Sequence, residues 1–335
     1  MNIKPVSAID VSHPAQPTAE EIGAGYRQFV GDEVDLWHFP MMNDVVRNAA
    51  YEKALKGALH SAAEAGRKKT VLEIGTGSGL LSMMAARHGA AKVTTCEAIP
   101  MIARKAEEII RKNGFADRVK VINRLSTNLA VGEQVSIGSA TGLAERADVL
   151  VTEIFDDGLL GEGAFVAIKH AITHLLKPNA QIIPAGVRVT AVCIESAEIF
   201  ENHRVAQVSG FDLSAFNEFT VQKYMGYHLN KMKYRALSAP KQVWDFDFHH
   251  LPGTETKPIE FEVTEDGLCH AVAFWYELQL DETTTVSTAP GQAALSCWKQ
   301  AILLNETPRP LKKGERLALT AHHDTESLWF TASSP

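Results

Sequence analysis

Four glutamates and a short run of glycines are the residues of this chain whose types and spacing could do chemistry. Glu73-Ile-Gly75-Thr-Gly77-Ser-Gly79 is a GxGxG turn with an acid two residues ahead of it, and Glu97 follows 22 residues after Gly75. A glycine turn between a strand and a helix suits a nucleotide-sized cofactor. The dinucleotide form is GxGxxG, however, and its pyrophosphate needs a helix N-terminus without negative charge nearby. Glu73 would repel a pyrophosphate. It suits S-adenosylmethionine, which carries no phosphate and presents an ammonium and a sulfonium. Glu97 closes the second strand, where an acid accepts both ribose hydroxyls. An incidental glycine-rich turn with an unrelated strand-end acid is the alternative reading.

Glu153 and Glu162 stand nine apart and bracket Ile-Phe-Asp-Asp-Gly-Leu-Leu-Gly, directly after a strand. That places them on a loop at the carboxyl edge of the sheet, where ligands bind. Gly158, Gly161 and Gly163 would each weaken a helix by ~1 kcal/mol, so the expectation is a hairpin. Two carboxylates brought together repel, and one would protonate unless a cation lies between them. Guanidinium is the natural cation, planar and charged at any working pH. Exposed glutamates on a mobile loop remain the alternative.

To hold these acids the chain needs a parallel sheet, and residues 70–186 alternate apolar runs with helical patterns in the matching order. Strands are expected at Thr70–Ile74, Lys92–Glu97, Val119–Ile122 and Val149–Ile154, with helices at Leu80–Arg87, Met101–Asn113 and Phe165–Leu176, the last stopped by Pro178. Arg124–Arg146 has no clear period. After Pro184 the pattern alternates, as in Val187 and Val189 against Arg188 and Thr190, which signals a β domain. Glu265-Asp266-Gly267 predicts a hairpin between flanking strands, and Leu317–His322 a second pair with Leu328–Thr331. Ala206–Arg235, polar and aromatic, fits neither half and reads as an excursion.

The 335 residues favour two domains, and 45% apolar with 22% charged residues is ordinary for a globular protein. No apolar run approaches the roughly 20 residues of a membrane span, and the N-terminal stretch lacks a signal-peptide core, so no membrane partner is expected. Cys96, Cys193, Cys269 and Cys297 lack metal spacing and fit reduced thiols in the cytoplasm, with nuclear entry left open. A net charge of -7 argues against nucleic acid as a partner and for a mild attraction to basic peptides, or is simply an acidic surface. No metal is expected: adjacent histidines in a strand, at His249-His250 or His322-His323, point to opposite faces. Met83 and Met84 read as core.

From about Trp37 onward the chain resembles the protein arginine methyltransferase family. VLEIGTGSGLLSMMA from Val71 resembles its first motif, TTCEA from Thr94 its ribose-binding acid, and EIFDDGLLGE from Glu153 its double-glutamate loop. Met41-Met-Asn-Asp-Val-Val-Arg47-Asn looks like the helix that crosses the cofactor, with the methionine at the methyl region and the arginine on the cofactor carboxylate. Ser209-Gly-Phe-Asp-Leu-Ser resembles the lead into a dimerisation arm. KNGF, VTEIFD, LLGEGA and AHHD are most like the monomethylating, type III branch, here with a single module. Ser296-Cys297-Trp298-Lys-Gln300 stands where the family has Thr-His-Trp, so its histidine is a cysteine, a reactive thiol if exposed. The aromatic pair that precedes the methionine in the family is not identifiable among Tyr26, Phe29 and Trp37.

The resemblance implies an α/β fold with a Rossmann-like S-adenosylmethionine-binding domain, then a β-barrel-like domain carrying an inserted helical dimerisation arm. The expected boundaries are a flexible lead and N-terminal helix over 1–36, the cofactor domain over 37–184, the substrate domain over 185–335 and the arm over 203–236. It implies methyl transfer from S-adenosylmethionine to arginine in a protein, mainly once, by a homodimer. Met41, Arg47, Glu73, Gly75, Gly77, Glu97, Ser126 and Thr127 would hold the cofactor, and Glu153 and Glu162 the guanidinium. Trp298 would wall the pocket, unless it is core, and Gln300 would orient the substrate. A methyltransferase of small guanidino or amino compounds and a scaffold without turnover are the alternatives.

Overall fold

The computed structural model describes residues 34, 36–64, 67–132, 142–219, 223–291 and 298–332; all but residues 34 and 36 of the lead and helix expected over 1–36 (Tyr26 and Phe29 included), and Cys297, lie outside the described residues. Two helices come first, α1 (His38–Met42) and α2 (Val45–Glu64). The resemblance predicts one helix from Met41 to Asn48. The chain instead breaks at Asn43, and Asp44 restarts it by accepting the Arg47 amide at 2.9 Å, as a short acid at a helix N-cap does. α2 then buries Tyr51, Ala54, Leu55, Ala58 and Leu59, the single stripe of a helix laid against a core.

β1 (Thr70–Ile74), α3 (Leu80–Arg87), β2 (Lys92–Glu97), α4 (Pro100–Lys112), β3 (Val119–Asn123), β4 (Ala147–Thr152), α5 (Ala164–His170) and β5 (Leu176–Ile183) follow. The five strands form one parallel sheet in the order β3-β2-β1-β4-β5. Chain order reverses between β1 and β4, so the loops after these two strands open a crevice at the carboxyl edge. The helix predicted over Phe165–Leu176 forms over nearly the same residues, as α5 continued by a π-helical turn over 171–175, but Pro178 does not stop it: β5 starts at Leu176 with Pro178 inside it. β5 is an edge strand whose pairing slips between Ala147 and Val149 of β4, the kind of place where a sheet tolerates proline.

From Gly186 the pairing is antiparallel. β6 (Gly186–Glu195), α6 (Ala197–Glu201), β7 (Gln207–Val208), β8 (Phe211–Asp212), β9 (Met225–Tyr227), β10 (Arg235–Ala236), β11 (Lys241–Asp247) and β12 (Glu255–Glu262) come first. β13 (Gly267–Gln279), β14 (Thr285–Ser287), β15 (Gln300–Leu311), β16 (Arg316–His323) and β17 (Leu328–Ala332) complete it. One sheet runs β10-β6-β13-β15-β9, with β11 and β14 attached to β6 and β13; a second is β12-β16-β17. The sheets face each other across a shared core, where Phe274 meets Phe330 edge-on at 5.7 Å. This is the barrel-like arrangement expected, without a closed ring among the described strands.

The hairpin predicted across Glu265-Asp266-Gly267 does not form. β13 uses both edges, on β6 and β15, so β12 crosses to the other sheet and pairs β16, with Phe261 opposite Leu317. β16 and β17 do pair as predicted, His322 opposite Trp329. Within 203–236 the described backbone holds the β7–β8 hairpin and 3-10 turns at 214–219 and 229–231 in place of α-helix, and it rejoins the sheet through β9 and β10. Phe165 of α5 packs edge-on against Phe246 at 5.0 Å and Phe248 at 6.0 Å, so the two halves share a core beside the crevice.

Candidate active site

After Ile74 the chain turns at Gly75 with φ +82°, a left-handed value that strains any residue with a side chain. A Cβ there would also lie 2.5 Å from Ile154 Cγ2, so only glycine lets this turn sit against the loop after β4. Gly77 N donates to Glu97 Oε2 at 3.1 Å and Ile99 N donates to Glu97 Oε1 at 3.0 Å. Each carboxylate oxygen is thereby fixed by one amide and keeps capacity for a hydroxyl donor. Glu73 lies buried beneath, accepting from the Ser82 hydroxyl. Burial pushes its carboxyl up to about 7, although hydrogen bonds from Ser82 and Thr95 pull the other way.

A cavity of about 710 Å³ is lined by Glu73, Gly75, Gly77, Glu97 and Ile99 and by Met41, Arg47, Ser126, Thr127, Glu153 and Glu162. Every residue expected to hold the cofactor, and both loop glutamates, therefore share one space of small-molecule size. Arg47 also has partners within the chain. Its Nη1 lies 3.2 Å from Glu153 Oε2 and donates to the Met41 carbonyl at 3.2 Å. A guanidinium this buried needs an anion, and the Glu153 carboxylate is the one it meets. Its Nε is buried without a partner among the described residues, a donor still to be satisfied.

Glu153 sits deep, and burial pushes its carboxyl up to about 7 against the opposing pull of Arg47. Glu162 stands at the mouth, its surface open to solvent. Partial burial first, then Glu153 and Asp156, push it up to about 7 as well, a shift that the reaching solvent tempers. The exposed-glutamate reading thus holds for the outer acid and not for the inner one. Two acids resisting ionisation along one cavity favour a cation between them. The loop that carries them is a chain of turns, not the predicted hairpin: Leu159 N donates to Asp156 O at 2.9 Å and Gly163 N to Leu160 O at 3.0 Å. Gly158 is required for another reason than helix breaking, since a Cβ there would run into the Tyr224 ring.

Two expected members lie elsewhere. Gln300 does not line the cavity; its Nε2 donates to Thr288 O at 2.7 Å and its Oε1 accepts from Leu229 N at 2.9 Å. Both amide atoms are committed to neighbouring backbone, so the expectation that Gln300 orients a substrate is corrected to a structural role. Trp298 is likewise off the cavity wall, buried with its ring 6.0 Å from that of Tyr276, which is the core alternative. Motif reading missed Arg124, Val166 and Glu326, which do line the cavity. Glu326 reaches it from the β16–β17 turn, and no local signal distinguishes such a residue from ordinary surface. Among the described residues no cluster of three or more potential metal ligands occurs, and His322 stacks on Trp329 while His323 is buried beside Trp244.

Residues 187–333 match the arginine methyltransferase oligomerization subdomain, and residues 56–209 match the ribosomal protein L11 methyltransferase (PrmA) family. An arginine N(omega)-methyltransferase of Streptomyces achromogenes subsp. streptozoticus is 35% identical over 297 residues, covering 88% of this chain and 78% of that one. Protein arginine N-methyltransferase 7 of Aedes aegypti is 33% identical over 330 residues, covering 87% of this chain and 47% of that protein, so this chain spans about half its length. Among solved structures, a Trypanosoma brucei PRMT1 enzyme-prozyme heterotetrameric complex with AdoHcy superposes with a TM-score of 0.72 at 21% identity, covering 85% of this chain and 86% of that one. Arabidopsis thaliana protein arginine methyltransferase 10 gives 0.67 at 20% identity, covering 87% and 96%. These two share the fold. The Streptomyces relative, matched over most of its own length, carries the assignment further: this chain belongs to the arginine N-methyltransferase family and is an S-adenosylmethionine-dependent methyltransferase.

Proposed function

We propose that this enzyme methylates arginine side chains in proteins, adds mainly one methyl group to each, and works as a homodimer. The observation that carries the reading is the stacking of acids along one cavity: Glu73 and Glu97 beside the glycine turn, Glu153 at depth and Glu162 at the mouth. The residues present suit S-adenosylmethionine, because the turn is flanked by carboxylates that welcome its cationic end, and Glu97 presents both oxygens in fixed positions. Bound there, S-adenosylmethionine supplies a methyl group on a sulfonium, open to in-line attack by a nitrogen. Arg47 meets Glu153 through Oε2 at 3.2 Å, and Glu153 faces the same cavity that an incoming guanidinium would enter. Glu153 and Glu162 then draw positive charge to one side of that group, so the opposite nitrogen keeps more lone-pair character. Holding it about 3 Å from the methyl carbon supplies much of the rest by orientation.

Restriction to one methyl follows from crowding at the mouth, where discrimination against one added methyl of ~1 to 3 kcal/mol gives a strong bias. Labelled cofactor should be incubated with an arginine-containing peptide, with free arginine, and with no acceptor, and the products resolved by mass. The expected result is a peptide carrying monomethylarginine. Abundant dimethylarginine would overturn the product assignment, and no transfer in any arm would leave a cofactor-binding scaffold. Free arginine is the second reading, favoured by one observation: the Streptomyces relative is named for arginine itself and is matched over 78% of its length. Label in free arginine alone would establish it.

The homodimer reading is supported by Phe211, Phe216 and Phe219, which are exposed on the 203–236 segment, within the region that matches an oligomerization subdomain. Such an apolar cluster is more than a monomer ordinarily leaves to water. Light scattering at micromolar concentration should give twice the chain mass. Monomer mass with full activity would refute the dimer.

A further inference from the structure

The geometry points to Tyr224 as a positioning residue that fixes Glu162 by holding Asp156, so that the outer half of the proposed clamp depends on the segment that closes the arm. The inference rests on the role proposed above for Glu162. Tyr224 lines no part of the cofactor cavity. It stands immediately before β9, where the 203–236 excursion returns to the sheet, and its ring packs edge-on against Phe274 at 5.8 Å.

From that fixed ring the hydroxyl donates to Asp156 Oδ2. The other carboxylate oxygen, Oδ1, accepts from Gly161 N at 2.9 Å, and Gly161 is joined directly to Glu162. Asp156 is therefore a bridge with one oxygen on the arm side and one on the peptide that orients the outer glutamate. Its own backbone is pinned separately, by Tyr276, whose hydroxyl donates to Asp156 O at 2.9 Å. The fit is close: a Cβ at Gly161 would lie 2.8 Å from the Tyr224 hydroxyl, and one at Gly158 would enter the ring. Burial and Asp156 hold the phenol far above its ordinary range, so it stays a neutral donor at any working pH. Glu162, open to solvent, has few restraints of its own. A glutamate on a loop of turns would otherwise sample many positions, and catalysis by orientation is sensitive to displacements of the order of 1 Å.

Simple space-filling by Tyr224 makes a different forecast, because Tyr224→Phe keeps the ring and removes only the hydroxyl. The expected result for Tyr224→Phe is a fall in kcat of about tenfold, the scale of one hydrogen bond to a charged acceptor, with cofactor affinity and particle mass unchanged. In an Asp156→Ala background, Tyr224→Phe should add no further loss, since the tyrosine then has nothing to act through. Asp156→Asn should recover most of the activity lost in Asp156→Ala, because an amide can accept from Gly161 N and donate to the tyrosine oxygen. A kcat for Tyr224→Phe within twofold of the unaltered enzyme, or losses that multiply in the double variant, would overturn the inference. Glu162→Gln run in the same assay separates the levels: if it is inactive while Tyr224→Phe is normal, only the positioning role fails. If Glu162→Gln is fully active, the clamp and the positioning role fail together.

Discussion

Glu153→Gln and Glu162→Gln each lower turnover by two orders of magnitude or more, while affinity for the cofactor stays within a few-fold of the unaltered enzyme. The amide keeps the shape of the carboxylate and removes the charge that polarises a guanidinium. A hundredfold corresponds to roughly 2.7 kcal/mol, the lower end of what one preorganised electrostatic contact contributes to a transition state. The cofactor-side acids, Glu73 and Glu97, are untouched by either change, which is why binding and turnover should separate. The two variants should differ in stability, because Glu153 is the ion-pair partner of buried Arg47 and Glu162 has no such duty. Calorimetric titration with S-adenosylhomocysteine, alongside steady-state rates, makes the distinction. Substantial turnover in the Glu153→Gln, Glu162→Gln double variant would remove the clamp from consideration.

Glu97→Ala weakens cofactor binding by about 10- to 100-fold. Two ribose hydroxyls lose charge-assisted partners worth about 1.5 to 3 kcal/mol each at most, and water entering the space returns part of that. A second loss is specific to this structure. The same carboxylate braces the glycine turn through Gly77 N and the start of α4 through Ile99 N, so both amides lose their acceptor in the variant. Glu97→Gln, whose single carbonyl can replace one brace, should fall between. Calorimetry with S-adenosylhomocysteine is again the check, and an unchanged dissociation constant for Glu97→Ala would exclude it from the cofactor site.

The parts of the fold that were legible in the sequence are those decided by neighbours in the chain. β1, α3 and β2 run over the residues read for them, because a glycine turn, an apolar strand and a helical stripe are local signals. The acids at their ends fall in one cavity as a result. Partner choice between strands is not local. Asp266-Gly267 has the composition of a hairpin turn, yet β12 and β13 separate because β6 and β15 already occupy both edges of β13. Gln300 shows the same limit at the level of a side chain: its place after Trp298 suggested a substrate contact, whereas its two bonds go to Leu229 and Thr288 from distant parts of the sheet. Glu326 is the converse, an ordinary turn residue until the second sheet folds it against the cavity. Arg47 lies in the cavity where the motif placed it, while its ion pair with Glu153 had no signal in the spacing.

The elevated carboxyls of Glu153 and Glu162 also bear on where hydrogen ions go. In the proposed reaction a sulfonium and a guanidinium enter with two positive charges, and a thioether and a methylguanidinium leave with one. A proton makes up the difference. Once the product cation has left, burial again favours the protonated form of both carboxyls, which makes them better recipients than an ordinary surface carboxylate. Glu153 is enclosed and tied to Arg47, while Glu162 meets water, so the outer acid is the one with an exit to bulk solvent. On the proposed reading, the burial that makes these two side chains costly to ionise would also let them hold the hydrogen ion each turnover liberates, with the solvent-facing glutamate as its outlet.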